Sequence, residues 1–257
     1  MLDLNSIKKQ YPKNLWSYPR FLLKEYLQYK ILQAVFSSKF QASLCFLGGT
    51  ALRIVHNNGR FSEDLDFDNF GLDQVKFEAL VSQAQKKLEL EGIKTEYRNV
   101  YKGVYRSYLK FPNILNVSGL SPLKDEKILI QLDTYLQKYK YPFDKVILNK
   151  FDIFTQINVA PSDILLAKKI VSAVKRKSLK GRDFFDIVFL FAKTEPNYPY
   201  LEKKIQIANA RELKKKLLEV LNGVDLKVLA KDVGPFLFNE NEIGRVLLFR
   251  EFLESLK

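Results

Sequence analysis

Residues 44–67 of the chain read LCFLGGTALRIVHNNGRFSEDLDF, and the fold is predicted outward from this stretch. The apolar run 44–47 predicts a short buried strand. Gly48 and Gly49 then predict a tight turn, and Thr50 is the expected N-cap of a helix that reaches His56. Acidic and apolar residues alternate from 64 to 68, which predicts a strand with one polar face. The stretch is therefore typical of a strand, turn, helix and second strand in an α/β sheet.

The chemistry carried by this stretch suits nucleotidyl transfer, which needs a cradle for a triphosphate and carboxylates that hold a divalent metal. Gly48 and Gly49 have no Cβ, so backbone N–H groups can approach phosphate oxygens, and a helix N-terminus follows them. Asp64 and Asp66 are two residues apart and present two hard oxygen ligands for Mg²⁺ on one face. Asp133, at the end of the apolar run 128–133, is the candidate third ligand on a neighbouring strand.

The remaining periodicity predicts an α+β protein with a mixed sheet followed by a helical C-terminal part. We expect an α/β domain over residues 1–160, including an N-terminal helix, and a helical domain over 161–257. The other predicted elements are helices at 20–36, 73–91 and 163–175, and strands at 94–100, 105–111, 127–133, 145–148 and 153–159.

Composition narrows the classes of partner. The 42 basic and 29 acidic residues leave a formal charge of +13, which favours a polyanion such as nucleic acid. The single cysteine, Cys45, excludes an internal disulfide and a cysteine zinc site, and the single histidine, His56, excludes a paired-histidine metal site. No apolar run approaches the ~20 residues of a membrane span, so we expect a cytoplasmic protein without membrane contact.

Two blocks of the sequence resemble a known family. The residues GGTAL (48–52) and GRFSEDLDF (59–67) are similar to the signature of the AbiEii/AbiGii-type nucleotidyltransferases, which belong to the DNA polymerase β-like superfamily. The residues LLAKKI (165–170), Arg176 and RDFFD (182–186) are similar to the second family block. The resemblance implies a polymerase β-like nucleotidyltransferase core.

The resemblance also implies roles for individual residues. Lys169 would contact phosphate and Asp183 would complete the polar site, whereas Lys168 is the alternative lysine. Lys169 is preferred because Ile170 follows it and Arg176 stands at the expected offset. A solvated lysine, and acidic residues that only favour a helix dipole, are the structural alternatives. The complete expected site consists of catalytic Asp64, Asp66, Asp133, Lys169 and Asp183, nucleotide-binding Gly48, Gly49, Thr50, Ser62, Lys169 and Arg176, and metal-binding Asp64, Asp66 and Asp133.

The leading hypothesis is a metal-dependent nucleotidyltransferase that uses Mg²⁺, expected as two ions, to move an NMP from an NTP to an acceptor. The family resemblance implies a toxin of a toxin–antitoxin or abortive-infection system, with an antitoxin protein as a partner, and an RNA acceptor such as tRNA. A protein or small-molecule acceptor stays open. The rival hypotheses are a catalytically inactive nucleic-acid-binding module and an interaction protein neutralised by an acidic antitoxin. Clustered carboxylates beside a polyanion have no use in either rival.

Overall fold

The computed structural model describes residues 1–256 and contains two compact units. The first unit comprises Met1–Ala51 and Ser62–Val159. The second comprises Leu52–Phe61 and the described residues from 160 onward. The domain limits 1–160 and 161–257 stay a prediction about folding units, but the grouping of residues 52–61 with the C-terminal part was not expected from the sequence.

The first unit is built on one seven-stranded mixed sheet. Its strands are β1 (Leu44–Leu47), β2 (Leu65–Asn69), β3 (Glu96–Tyr101), β4 (Tyr105–Phe111), β5 (Ile128–Leu136), β6 (Asp144–Lys150) and β7 (Ile153–Val159). The strand order is β3-β4-β5-β2-β1-β7-β6. The pairs β2–β5 and β1–β7 are parallel and the other neighbours are antiparallel. The mixed sheet confirms the predicted α+β class.

Helices cover one face of this sheet. The helices that begin in the first unit are α1 (Leu4–Lys8), α2 (Pro19–Phe36), α3 (Gly48–Ile54), α4 (Gln74–Leu90) and α5 (Ile114–Val117). Helix α2 packs on β7 and β5, and α4 packs on β3 and β4. The ring of Phe36 in α2 lies 6.1 Å from the ring of Phe67 in β2. Because side chains alternate along a strand, Asp66 and Asp68 point to the opposite face.

The structure corrects two details of the predicted stretch. Strand β2 begins at Leu65, so Asp64 lies in the loop immediately before it. Helix α3 begins at Gly48, so the expectation that Thr50 is the N-cap is wrong. The physical reason is the positive φ of Gly48, 83°, which turns the chain directly from β1 into the helix.

The second unit is helical from residue 162 on. Its helices are α6 (Ser162–Lys175), α7 (Gly181–Phe191), α8 (Tyr198–Ile205), α9 (Ala210–Val220), α10 (Leu226–Val233), α11 (Gly244–Leu247) and α12 (Phe249–Ser255). Helix α7 packs against α6 and α10, and the rings of Phe184 and Phe249 meet edge to face at 4.9 Å in the core. None of the helices in residues 1–256 has the length and apolarity needed to cross a membrane.

Candidate active site

Gly48 and Asp66 are in direct contact at the start of α3. They meet because Leu47, the residue before Gly48, pairs with Asp66 across β1 and β2. A Cβ at Gly48 would collide with the Asp66 carboxylate, and the Cβ and Cγ of Asp66 would lie only 3.0 Å from it. The glycine therefore meets two requirements, a positive φ and space for a carboxylate at a helix N-terminus.

Substitution of Gly48 by alanine is expected to lower the free energy of unfolding by about 1–3 kcal/mol, because of backbone strain. The collision of the new methyl group with the Asp66 carboxylate adds to this loss. The check is the midpoint of urea unfolding. The matched control is Gly92→Ala, because Gly92 has a φ of 77° with no atom within 4 Å of an added Cβ. Equal losses of stability in the two variants would contradict the role of the contact.

The loop that carries Asp64 is fixed by side chains from two helices. Thr50 of α3 donates its hydroxyl to the backbone carbonyl of Asp64. The amide of Gln28 in α2 donates to the carbonyl of Ser62 at 2.9 Å. Gly49, the second residue of α3, is buried behind this loop. The predicted phosphate-binding residues of the first unit thus meet at one end of β2, and the Thr50 hydroxyl holds the loop.

Asp133 is the neighbour of Asp66, because the two residues are register partners in parallel strands β2 and β5. Its side chain is nearly fully buried and both of its carboxylate oxygens accept from Arg106, each at 2.7 Å. These hydrogen bonds raise the pKa of Arg106. The predicted third ligand is thus brought to the expected place, but as half of a bidentate ion pair.

Two further side chains complete the environment of Asp133. Gln131 and Tyr135 each donate to its Oδ2 at 3.0 Å. Burial, followed by the negative charges of Asp66 and Asp133, raises the pKa of Tyr135, so the phenol stays protonated and remains a donor. Oδ1 of Asp133 thus accepts from Arg106, and Oδ2 accepts from Arg106, Gln131 and Tyr135.

Two carboxylates of the first unit, those of Asp64 and Asp66, are the candidates for holding a hard divalent cation. Within residues 1–256 no three His, Cys, Asp or Glu side chains form a group that could hold a metal ion. Asp64 and Asp66 are nevertheless carboxylates on partly exposed positions, and the glycine at position 48 leaves open the space that the Asp66 carboxylate enters. Oxygen donors of this kind are those that Mg²⁺ prefers. Asp64 and Asp66 are therefore the residues of the first unit that would hold such a cation.

The second unit contains a buried ionic cluster centred on Asp186 of α7. Arg60 donates from Nε to Oδ1 at 2.7 Å and from an Nη to Oδ2 at 2.6 Å, and Asn58 donates to Oδ1 at 2.8 Å. The side chains of Arg60 and Asp186 are 1% and 0% exposed. Although burial alone raises the pKa of Asp186, the attraction of Arg60 and Lys169 outweighs it and the pKa is lowered. The cluster holds segment 52–61 on α7.

Lys169 of α6 reaches this cluster. Its Nζ lies 2.8 Å from Asp186 and 3.3 Å from Asp183, and its side chain is 15% exposed. Burial lowers the pKa of Lys169, but the two carboxylates raise it by more, so the ammonium stays charged. Arg176 lies 3.5 Å from Asp183 and is 40% exposed. The Nζ of Lys168 instead lies 5.6 Å from the centre of the Tyr200 ring.

Sequence reasoning missed the roles of three charged residues. Arg60 and Asp186 lie inside the two sequence blocks that resemble the family, but no role was predicted for either. The position of Arg60 beside the apolar Phe61 is the signal that could have indicated a buried ion pair. Arg106 lies in a strand that was predicted with its observed bounds, 105–111. Its partner depends on the register of β4 and β5, which one sequence does not reveal.

Comparisons with known proteins agree with this architecture. A family described as nucleotidyl transferase AbiEii toxin, type IV TA system, matches residues 30–247. No curated protein matches the chain in sequence.

Two solved structures share the fold. MenT4, the nucleotidyltransferase toxin Rv2826c from Mycobacterium tuberculosis H37Rv, is similar with a TM-score of 0.60 and 17% identity, over 100% of this chain and 91% of that chain. JHP933 from Helicobacter pylori is similar with a TM-score of 0.55 and 16% identity, over 92% of each chain. The nucleotidyltransferase fold is thereby confirmed. Because the family match extends over most of its length, the chain belongs to the AbiEii family of nucleotidyltransferase toxins of type IV toxin–antitoxin systems.

Proposed function

We propose that the protein transfers an NMP from an NTP to an RNA acceptor and that the reaction requires Mg²⁺. The observation that carries the proposal is the packing of the Asp66 carboxylate against Gly48 at the start of α3, with Asp64 two residues earlier. Carboxylates beside a glycine-opened helix N-terminus combine metal ligands with a phosphate cradle in a single place. The charge of +13 favours a polyanionic acceptor, and RNA is the acceptor class that we propose.

The candidate site residues of the first unit have distinct parts in the proposed reaction. The backbone N–H groups after Gly48 bind phosphate oxygens of the NTP, and Thr50 keeps the loop of Asp64 in place through its hydrogen bond. Asp64 and Asp66 would hold Mg²⁺, which neutralises charge that develops on the α-phosphate and on the leaving oxygens. An acceptor hydroxyl oxygen forms a bond to the α-phosphorus and releases its proton to water, the bond to the bridging α–β oxygen breaks, and pyrophosphate leaves.

The ion pair at Asp133 suggests how its charge is controlled. Arg106 neutralises the buried Asp133 carboxylate beside Asp66, so two like charges do not repel each other while the site is empty of ligand. We propose that Asp133 becomes the third ligand when Arg106 moves to a substrate phosphate. Arg106 is suited to this exchange, because a guanidinium binds carboxylate and phosphate with the same bidentate geometry.

The residues of the second unit are proposed to act on the nucleotide through their positive charge. Lys169 stays protonated between Asp183 and Asp186, which fixes the position of its ammonium group. Arg176 is the more exposed cation and is suited to a direct phosphate contact. Asp183 is then a positioning residue for both cations.

An antitoxin is the expected partner of a type IV toxin, and the cytoplasm, where NTPs and RNA coexist, is the proposed compartment.

The proposal is tested by incubating the protein with each α-labelled NTP, Mg²⁺ and total RNA. We expect label in RNA from at least one nucleotide. Excess EDTA should abolish the transfer and added Mg²⁺ should restore it, because the developing phosphate charge is otherwise uncompensated. RNA without protein is the background control. Absence of label with all four nucleotides, or transfer that EDTA leaves unchanged, would contradict the proposal.

A further inference from the structure

The sheet face that carries Asp66 is not the face packed against α2 and α4. On this open face, β4 pairs Tyr108 with Gln131 of β5 and with Arg98 of β3. Register partners on adjacent strands point to the same side, so these three side chains form one row across the sheet. With ~4.8 Å between strands, the row runs ~10 Å from Gln131 to the sheet edge. It is next to the row that contains Asp66 and Asp133, because Gln131 is two residues before Asp133 on β5.

Gln131, at the inner end of this row, also lines a cavity of about 520 Å³, whose wall includes the beginning of α2, the loop of Asp64 and the beginning of β5. Asp64 and Gln131 both line it, and its apolar wall includes Phe21, Leu115 and Leu129. A volume of this size is within the range of small-ligand pockets, and an apolar wall with a few polar groups suits a nucleobase. Strand β2 lies between β5, which borders the cavity, and β1, which leads into the glycine turn. The cavity and the glycine turn therefore border β2 from its two different neighbours.

The charges differ between the two ends of the row. At the cavity, Arg20 is paired with Glu126 and Lys24 with Glu63. At the sheet edge, neither Arg98 nor Lys102 has an acidic partner among residues 1–256. Uncompensated positive charge at the outer end of the row favours the binding of a ligand with a negatively charged backbone.

The middle of the row is aromatic. The guanidinium of Arg98 lies 5.3 Å from the centre of the Tyr108 ring, and that of Arg106 lies 5.9 Å from it. These residues, with Lys102, line a depression of about 580 Å³. Aromatic rings flanked by cations bind single-stranded nucleic acids, because bases stack on the ring while the cations meet the phosphates.

We propose that this row is the binding track for the single-stranded end of the RNA acceptor. The terminal nucleoside occupies the cavity beside Asp64, and the preceding nucleotides cross Tyr108 and Arg98 to the sheet edge. The inference rests on the proposed function for the identity of the acceptor. A folded protein partner is less suited to the track, because it offers neither a flat base for Tyr108 nor a phosphate for each unpaired cation.

The experiment measures the anisotropy of a fluorescein-labelled RNA hexanucleotide with the full chain and no NTP, so that binding is read separately from catalysis. Arg98→Glu reverses the charge at the sheet edge, and Leu129→Trp fills the cavity. Each variant should weaken RNA binding about ten-fold or more. Leu129 is 43% exposed and Arg98 is exposed, so both variants should keep the wild-type melting temperature.

Matched controls separate the track from general effects. Arg211→Glu makes the same charge change on an exposed position of α9, and Leu136→Trp makes the same size change on an exposed position of β5 with the opposite alternation. Both should bind within about two-fold of wild type. Equal weakening in a variant and its control overturns the track. Failed label transfer with binding that still depends on Arg98 and Leu129 would refute the proposed reaction alone.

Discussion

Asp64→Asn is expected to reduce label transfer from NTP to RNA by about 10²–10³-fold, the effect of removing one preorganised electrostatic group from an active site. The substitution removes a negative charge and the better of two ligand oxygens at the proposed metal position, and it keeps the shape of the side chain. The loop should stay in place, because Thr50 binds the backbone carbonyl of Asp64 and not its carboxylate. The measurement is the initial rate of labelling at saturating NTP and RNA.

Two comparisons make this result specific. Asp144→Asn places the same change on the exposed start of β6 and should retain the wild-type rate. RNA affinity of the Asp64 variant should be unchanged or tighter, since a negative charge beside a polyanion is lost. A rate within about two-fold of wild type would show that Asp64 is not a ligand in the reaction.

Asp186→Asn is expected to lower the free energy of unfolding by about 3–5 kcal/mol, which is the cost of leaving a buried charge without its partner. Arg60 is 1% exposed and would lose the opposite charge and one of its two acceptor oxygens at residue 186, while Lys169 would lose its shorter ion pair. The neutral amide retains the volume of the carboxylate, so the effect comes from charge and not from packing.

Urea unfolding followed by circular dichroism at 222 nm measures this effect, because helices dominate the second unit. The single tryptophan, Trp16, lies in the first unit, so its fluorescence reports the other unit in the same titration. Glu219→Gln is the control, since it removes an exposed pair with Lys216 and should cost less than about 1 kcal/mol. A loss as small as that of the control would mean that the buried cluster does not stabilise the unit.

Local patterns were sufficient to predict most elements of the sheet. The runs 44–47, 105–111 and 153–159 were predicted with their observed bounds, because strands rich in β-branched and aromatic residues are flanked by breaks. The helix start at Gly48 was missed, since a positive φ at a glycine and an N-cap at Thr50 give the same sequence pattern.

The site was less predictable where it depends on distant pairing. The position of Asp66 follows from alternation within one segment, whereas Asp64 lies in the loop before β2, although the alternation predicted it inside the strand. By contrast, the pair of Asp133 with Arg106 spans 27 residues, and that of Asp186 with Arg60 spans 126. A single sequence records which residues are charged, but the register of strands and the packing of helices decide which charges meet.

The assignment of residues 52–61 to the helical unit has a consequence for the evolution of such proteins. A single recombination event near residue 160 would take Arg60 from one parent and Asp186 from the other. Any divergence in the shape of that buried cluster would then leave a charge unmatched in the hybrid. Exchange of the C-terminal half between relatives is thus constrained, and the ten-residue segment must be inherited together with the helices.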